Sequence, residues 1–124
     1  MSDQWASPQQ RVAKPWGYEI RWARTDAYAG KILFVEAGHS LSLQLHREKD
    51  ESSYLLSGKL LLRCGPSESE LQESTLLPGE SWRSEPGVVH SIEALEDSTV
   101  IEVSTPHLDD VVRLRDRYGR SDSL

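Results

Sequence analysis

The sequence predicts an all-β domain, and three observations predict it. Glycine and proline punctuate the middle of the chain at short spacing, at Gly30, Gly38, Gly58, Gly65-Pro66, Pro78-Gly79 and Pro86-Gly87. Short runs rich in Leu, Val, Ile and aromatic residues lie between these breaks. Helical periodicity is confined to the end of the chain. Many short strands separated by turn signals read as a β-sandwich or barrel.

In chain order, residues 1–13 are polar and contain Pro8, and they read as a flexible or edge-covering N-terminal arm. Residues 17–24, 31–36, 40–46, 53–57, 59–64, 88–95 and 99–104 read as strands. Ser57-Gly58, between two apolar runs, reads as a hairpin turn. Near the end, Asp109-Asp110 can cap a short helix. Val111, Val112, Arg115 and Tyr118 would share one of its faces, and Gly119 can stop it.

At 124 residues the chain fits one domain, taken as 14–124. Fourteen Lys and Arg against twenty Asp and Glu give a net charge of 14 − 20 = −6, which argues against a nucleic-acid surface. The single cysteine, Cys64, cannot form an internal disulfide and fits a reducing compartment. Apolar runs such as Ile32-Leu33-Phe34-Val35 fall far short of the roughly 18 residues a membrane helix needs. No secretory signal pattern opens the chain. Together these features lead us to expect a cytoplasmic protein with no membrane or nucleic-acid partner.

Leu41-Ser42-Leu43-Gln44-Leu45-His46 alternates strictly, so a strand there sets three leucines on one face and Ser42, Gln44 and His46 on the other. Two readings are open: the leucines face the core and the polar face meets water, or the polar face lines a cavity. Gln44 and His46 would project on one side about 7 Å apart by strand rise. Glu51 follows five residues after His46, and His90 follows the Pro86-Gly87 turn. One amide oxygen, two imidazoles and one carboxylate form a mixed N/O donor set suited to a divalent ion such as Zn, Mn, Fe, Co or Ni. Three or four protein ligands leave room for water or substrate.

These residues resemble the cupin superfamily. Its first motif, G-x5-H-x-H-x3-4-E-x6-G, is matched by Gly38-x5-Gln44-x-His46-x4-Glu51-x6-Gly58, with Gln in place of the first His. The second motif is matched in part: Gly79 and Pro86-Gly87-x2-His90 are present, the proline is displaced by one position, and Ala94 stands where Asn is usual. The resemblance implies a single jelly-roll β-barrel with one divalent ion inside, held by Gln44, His46, Glu51 and His90. It also turns Leu41, Leu43 and Leu45 outward. An exposed leucine row wants cover, so we expect a homodimer.

A narrower resemblance runs over residues 14–120. Lys14-Pro15-Trp16-Gly17-Tyr18-Glu19, Lys31-Ile32, the Gln44-x-His46 pair, Pro86-Gly87-Val88-Val89-His90, Ile101-Glu102-Val103 and the stretch from Asp109-Asp110-Val111-Val112 to Tyr118-Gly119-Arg120 are similar to type II phosphomannose isomerases. In that family the isomerase is the C-terminal cupin domain of a bifunctional mannose-1-phosphate guanylyltransferase. The chain has no room for the guanylyltransferase half and is expected to be a free-standing isomerase-type domain. The residues around the ligands depart from the family: His46-Arg47-Glu48-Lys49-Asp50-Glu51-Ser52-Ser53 stands where it runs H-H-H-R-x-E-H-W.

The resemblance implies interconversion of mannose 6-phosphate and fructose 6-phosphate through an enediolate. A divalent ion would polarise the substrate oxygens, and a general base would move the proton between C1 and C2. Glu102 is the candidate base. By alternation it faces away from Ile101 and Val103, either into a barrel or to solvent. Lys31 and Arg113 match the family and are candidates for the substrate phosphate. Arg47 and Lys49 read as surface charges, Trp16, Tyr18 and Trp82 as packing residues, and His39 and His107 as structural or exposed. Two further functions stay open: another metal cupin enzyme, an oxygenase or lyase, or a sugar-binding module without catalysis.

Overall fold

The computed structural model describes residues 5–120 and contains nine strands and no helix among them. They are β1 (Gln10–Lys14), β2 (Gly17–Arg24), β3 (Ala29–Val35), β4 (Leu43–Leu45), β5 (Glu51–Gly65), β6 (Gln72–Leu76), β7 (Ser81–Ser84), β8 (Val89–Ser104) and β9 (Val112–Arg115). The order β1-β2-β3-β8-β4-β9 is antiparallel throughout, and β5 pairs with β8, β6 and β7. The sheet curls into a half-barrel of the jelly-roll type. Among the described residues no helix is long and apolar enough to cross a membrane.

Two long strands make the curl. β5 and β8 pair along almost their whole lengths, from Glu51↔Ser104 to Gly65↔Val89, with register shifts between Leu55 and Leu60. Gly58 lies in this bend with φ +98°. A Cβ there would fall 2.3 Å from Ser98 Oγ and 2.4 Å from the Asp97 carbonyl oxygen. The expected Ser57-Gly58 hairpin is therefore corrected to a bulged bend within one strand. The runs on its two sides pair with the same partner instead of with each other, so the chain keeps its direction.

The interior changes character at one register row. Leu33, Val100 and Leu55 are neighbours across β3, β8 and β5 and are all buried in the apolar core. Two residues along each strand, on the same face, the row becomes Lys31, Glu102 and Ser53, also buried. Each Leu or Val in the first row contributes about 1.5–3 kcal/mol of burial. The second row contributes charge to an enclosed space, where unpaired groups would be costly. One end of the barrel is thus oily core and the other a polar cavity.

Two further expectations change. The expected C-terminal helix is absent: Val112–Arg115 forms β9 against β4, with Gln44 opposite Arg113 and Leu45 opposite Val112. A helix of about ten residues is marginal by itself, and the free edge of β4 offers the β-branched Val111-Val112 segment a ladder instead. Asp110 also spends its carboxylate on a different loop, described below. At the other terminus, residues 10–13, read as part of the arm, belong to β1 and pair with β2 from Gln10↔Arg21 to Ala13↔Tyr18. The leucine row is half-buried rather than exposed, and Leu41 packs on the core.

Candidate metal centre

His46, Glu51 and His90 converge inside the polar end of the barrel. β4 carries Gln44 opposite His90 on β8, and His46 lies one residue beyond β4 on the same inward side. The chain then turns through residues 47–50 to Glu51, the first residue of β5. The His46 and His90 Nε2 atoms are each 3.2 Å from Glu51 Oε1. All three side chains are buried, and their ligand atoms lie within 4.8 Å of one another. Ligand bonds of about 2.0–2.2 Å would set neighbouring donors about 3–4 Å apart, the scale seen here.

Backbone carbonyls orient both rings. His46 Nδ1–H donates to the carbonyl oxygen of Asp110 at 2.5 Å, and His90 Nδ1–H to that of Val88 at 3.0 Å. A carbonyl oxygen can only accept, so the proton in each ring is on Nδ1. The neutral rings then turn Nε2 lone pairs toward a carboxylate oxygen that is itself an acceptor. His90 Nε2 is buried without a hydrogen-bond donor facing it. Three acceptors meeting in this way call for positive charge, either as protons on the rings or as a divalent ion. The donor set fits the ion.

Gln44 lines the same cavity, but its Oε1 accepts a 2.6 Å hydrogen bond from Ser42 Oγ. The structure thus brings His46, Glu51 and His90 together, with Gln44 opposite His90 in the same cavity.

Asp110 builds the loop between the ligands. Its carboxylate accepts the backbone N–H groups of Arg47 (3.1 Å), Glu48 (2.7 Å) and Lys49 (2.9 Å). Gly87 N–H donates to the His46 carbonyl oxygen at 2.7 Å and ties this loop to the turn before His90. The three backbone bonds hold the Asp110 carboxyl below its usual range against the opposing effect of burial.

Lys49 was expected at the surface and is instead 4% exposed. Its ammonium lies 2.9 Å from Glu51 Oε2 and 3.4 Å from Glu102 Oε2. Burial pulls the Lys49 pKa down, but the charges of Glu102 and Glu51 outweigh it and hold it above the usual lysine value. Burial raises the Glu102 carboxyl, and the charge of Glu51 adds to that. For Glu51, the two imidazoles and Lys49 overcome burial and hold the carboxyl well below the usual range. Glu102 faces inward, which resolves the two orientations open from alternation. No periodic signal could place Lys49, because it sits in a loop.

Lys31 is buried opposite Glu102 in the β3–β8 register, with its Nζ 3.2 Å from Glu19 Oε2. Arg113 lines the cavity from β9. The cavity is about 170 Å³. Six cations line it (Lys14, Arg21, Lys31, Lys49, Arg113, Arg120) against four carboxylates (Glu19, Glu51, Glu102, Asp109). This excess of positive charge, in a chain of net charge −6, is absent from the composition. Glu19 and Arg21 were missed in the sequence, although their spacing of two in a strand was the available signal. Trp82 also lines the cavity. Tyr18 stacks on Phe34 with ring centroids 4.5 Å apart.

The fold and this centre together define a small jelly-roll domain whose buried His-His-Glu cluster could bind a metal ion. No family model matches the chain. It is 28% identical over 120 residues to mannose-1-phosphate guanylyltransferase 2 of Escherichia coli O157:H7, a match covering 91% of this chain and 23% of that protein. The chain thus spans about a quarter of the length of this curated relative. Among solved structures, KdgF from Halomonas sp. superposes with a TM-score of 0.67 at 22% identity, covering 82% of this chain and 89% of that one. Oxalate decarboxylase from Bacillus subtilis superposes with a TM-score of 0.74 at 17% identity, covering 88% of this chain and 31% of that one. At such identities these neighbours establish the fold alone.

Proposed function

We propose that the chain is a metal-dependent sugar-phosphate isomerase of the mannose 6-phosphate to fructose 6-phosphate type. One observation carries this reading: a buried His46–Glu51–His90 set and the separate inward carboxylate of Glu102 share one cavity with an excess of cations. Aldose–ketose isomerisation needs those three parts and no redox partner. The guanylyltransferase relative supports it, since the matched region is the length of a single domain.

His46, Glu51 and His90 would hold the ion, with Gln44 beside them. A divalent ion there supplies Lewis acidity toward the carbonyl and hydroxyl oxygens of the sugar. Glu102 accepts the proton from C2 of the aldose and returns it to C1, while the hydroxyl proton on O2 ends on O1, so the isomerisation gains and loses no atom. Lys49 bridges Glu102 and Glu51 and fixes both carboxylates relative to the substrate. Lys31 and Arg113 bind the anionic end of the sugar phosphate. Trp82, Leu41 and Val111 line the cavity and limit water.

The test is a coupled assay on the full chain loaded in turn with Zn, Mn, Fe, Co or Ni, with mannose 6-phosphate and fructose 6-phosphate as substrates. The His46→Ala, His90→Ala double variant is the blank. Turnover in the wild type alone establishes the reading. No turnover with metal shown to be bound overturns it and directs attention to the oxygenase, lyase or binding functions that the same fold can host.

A further inference from the structure

The strongest charge cluster outside the metal ligands is centred on Glu19. This carboxylate is 3% exposed, and three cations surround it. Arg21 Nε is 2.9 Å from Oε2, Lys31 Nζ 3.2 Å from Oε2, and Lys14 Nζ 3.7 Å from Oε1. All four residues line the cavity. Three cations and one carboxylate leave a net charge of +2 in a partly buried place, where one carboxylate cannot satisfy all their donors. A guanidinium has five N–H donors and each ammonium three. Arg21 and Lys31 are also register partners, and Lys31 is the partner of Glu102, so the cluster continues the row that carries the inward acid. β3 lies two strands from β5, which places the Lys31 strand about 10 Å from the Glu51 strand.

We propose that Lys14, Arg21 and Lys31 form an oxyanion seat, with Glu19 as its fixed internal counter-ion. The seat takes the dianion of a phosphate monoester whose other end carries the oxygens presented to the metal centre. It rests on the proposed isomerase reading, and it adds Lys14 and Arg21 to Lys31 at the anionic end of the substrate. Glu19 holds the three cations in one place before the ligand arrives, which lowers the ordering cost of binding. It also sets the charge match: a surplus of +2 favours a dianion over a monoanionic sugar carboxylate. The ligand class is a short polyhydroxylated chain phosphorylated at the end remote from its reacting oxygens.

The test uses the metal-free full chain, so that it is independent of turnover. Thermal unfolding and calorimetric titration are run with inorganic phosphate and, separately, gluconate, at constant ionic strength. Wild type is expected to bind phosphate saturably and more tightly than gluconate. Arg21→Gln is expected to weaken phosphate binding about tenfold or more, the scale of a lost charge-assisted hydrogen bond. Arg63→Gln, which removes a cation paired with Glu73 outside the cavity, is expected to leave binding unchanged. The proposal is overturned by absent saturation, by equal weakening in Arg63→Gln, or by tighter binding of gluconate. Phosphate binding without isomerase turnover would sink the isomerase and leave the seat. Turnover with no phosphate binding, and with KM unchanged in Arg21→Gln, would sink the seat and leave the isomerase.

Discussion

Asp110 and His46 stand 64 residues apart in the chain and 2.5 Å apart in the fold, joined by the carbonyl of one and the Nδ1–H of the other. The same Asp110 uses its carboxylate to hold the backbone of Arg47, Glu48 and Lys49. One residue of the C-terminal segment thus orients a metal-centre ring and shapes the loop that delivers Glu51. Asp110→Ala keeps the carbonyl and loses the three bonds to the loop. We expect about 1–3 kcal/mol of lost stability and about tenfold weaker metal binding, the scale of lost support behind a ligand. Urea unfolding and chelator competition measure the two effects. Unchanged metal affinity would show that the loop keeps its shape without Asp110.

Metal addition should stabilise the fold. With free Zn or Mn at 100 times its dissociation constant, the gain is about 2.7 kcal/mol, and a chelator should reverse it. His90→Ala should abolish the shift in thermal midpoint and Gln44→Ala should reduce it far less, because His90 is in the converged cluster and Gln44 is turned to Ser42.

Lys49 separates two buried carboxylates. Lys49→Met would leave Glu51 and Glu102 facing each other without the ammonium that lies 2.9 Å from one and 3.4 Å from the other. Breaking a buried ion network by removing one partner costs about 3–5 kcal/mol. The deficit should shrink on mild acidification, because Glu102 already has a raised pKa and takes up a proton first. Equal stability of variant and wild type at neutral pH would contradict this arrangement.

Acid stability follows from the signs of the shifts. Glu19, Glu51, Asp110 and Asp116 all have lowered pKa values in the fold. Their contributions are present above the ordinary values of 4.5 for Glu and 3.8 for Asp, and are lost as pH falls through the lower folded values. Glu102 runs the other way, contributing below 4.5 and losing that contribution as pH rises through its raised value. With Asp50 also lowered by its bond to Arg83, five groups against one predict a net fall in the urea midpoint on going from pH 5 to pH 2. A midpoint that rises over this range would show that Glu102 dominates.

Gly58→Ala tests the bend in β5. Its φ of +98° and the 2.3 Å approach of a Cβ to Ser98 Oγ predict a loss of about 2–3 kcal/mol. Gly38→Ala shares a positive φ but has open space around it. It should cost less in the same unfolding experiment.

Much of the site was legible because it is written in strand alternation and fixed spacing. Gln44 and His46 share a face by a period of two, and Gly38, Glu51 and Gly58 fall at the intervals of a known motif. The strand expected over residues 17–24 coincides with β2, Gly17–Arg24. Lys49 was not legible. A lysine among charged loop residues resembles a surface lysine until the fold sets two carboxylates beside it. The C-terminal segment misled for a related reason: Val111, Val112, Arg115 and Tyr118 suit a helix face, but the open edge of β4 settles the matter and lies some 70 residues earlier in the chain. Ser57-Gly58 shows the same limit, since a bulge and a hairpin begin with the same residues and differ only in what pairs on each side.

The bond between Asp110 and His46 also bears on the order in which the protein matures. A chain emerging from the ribosome exposes His46 and Glu51 long before residue 110 is made, and contacts this distant in sequence are the slowest to form. The β2–β3 pair and much of the β5–β8 ladder can assemble while the ligand loop still lacks its anchor. The pocket therefore cannot be completed until Asp110 and β9 have been made. A nascent chain stalled before that point would carry the ligand residues without the geometry that makes them a site.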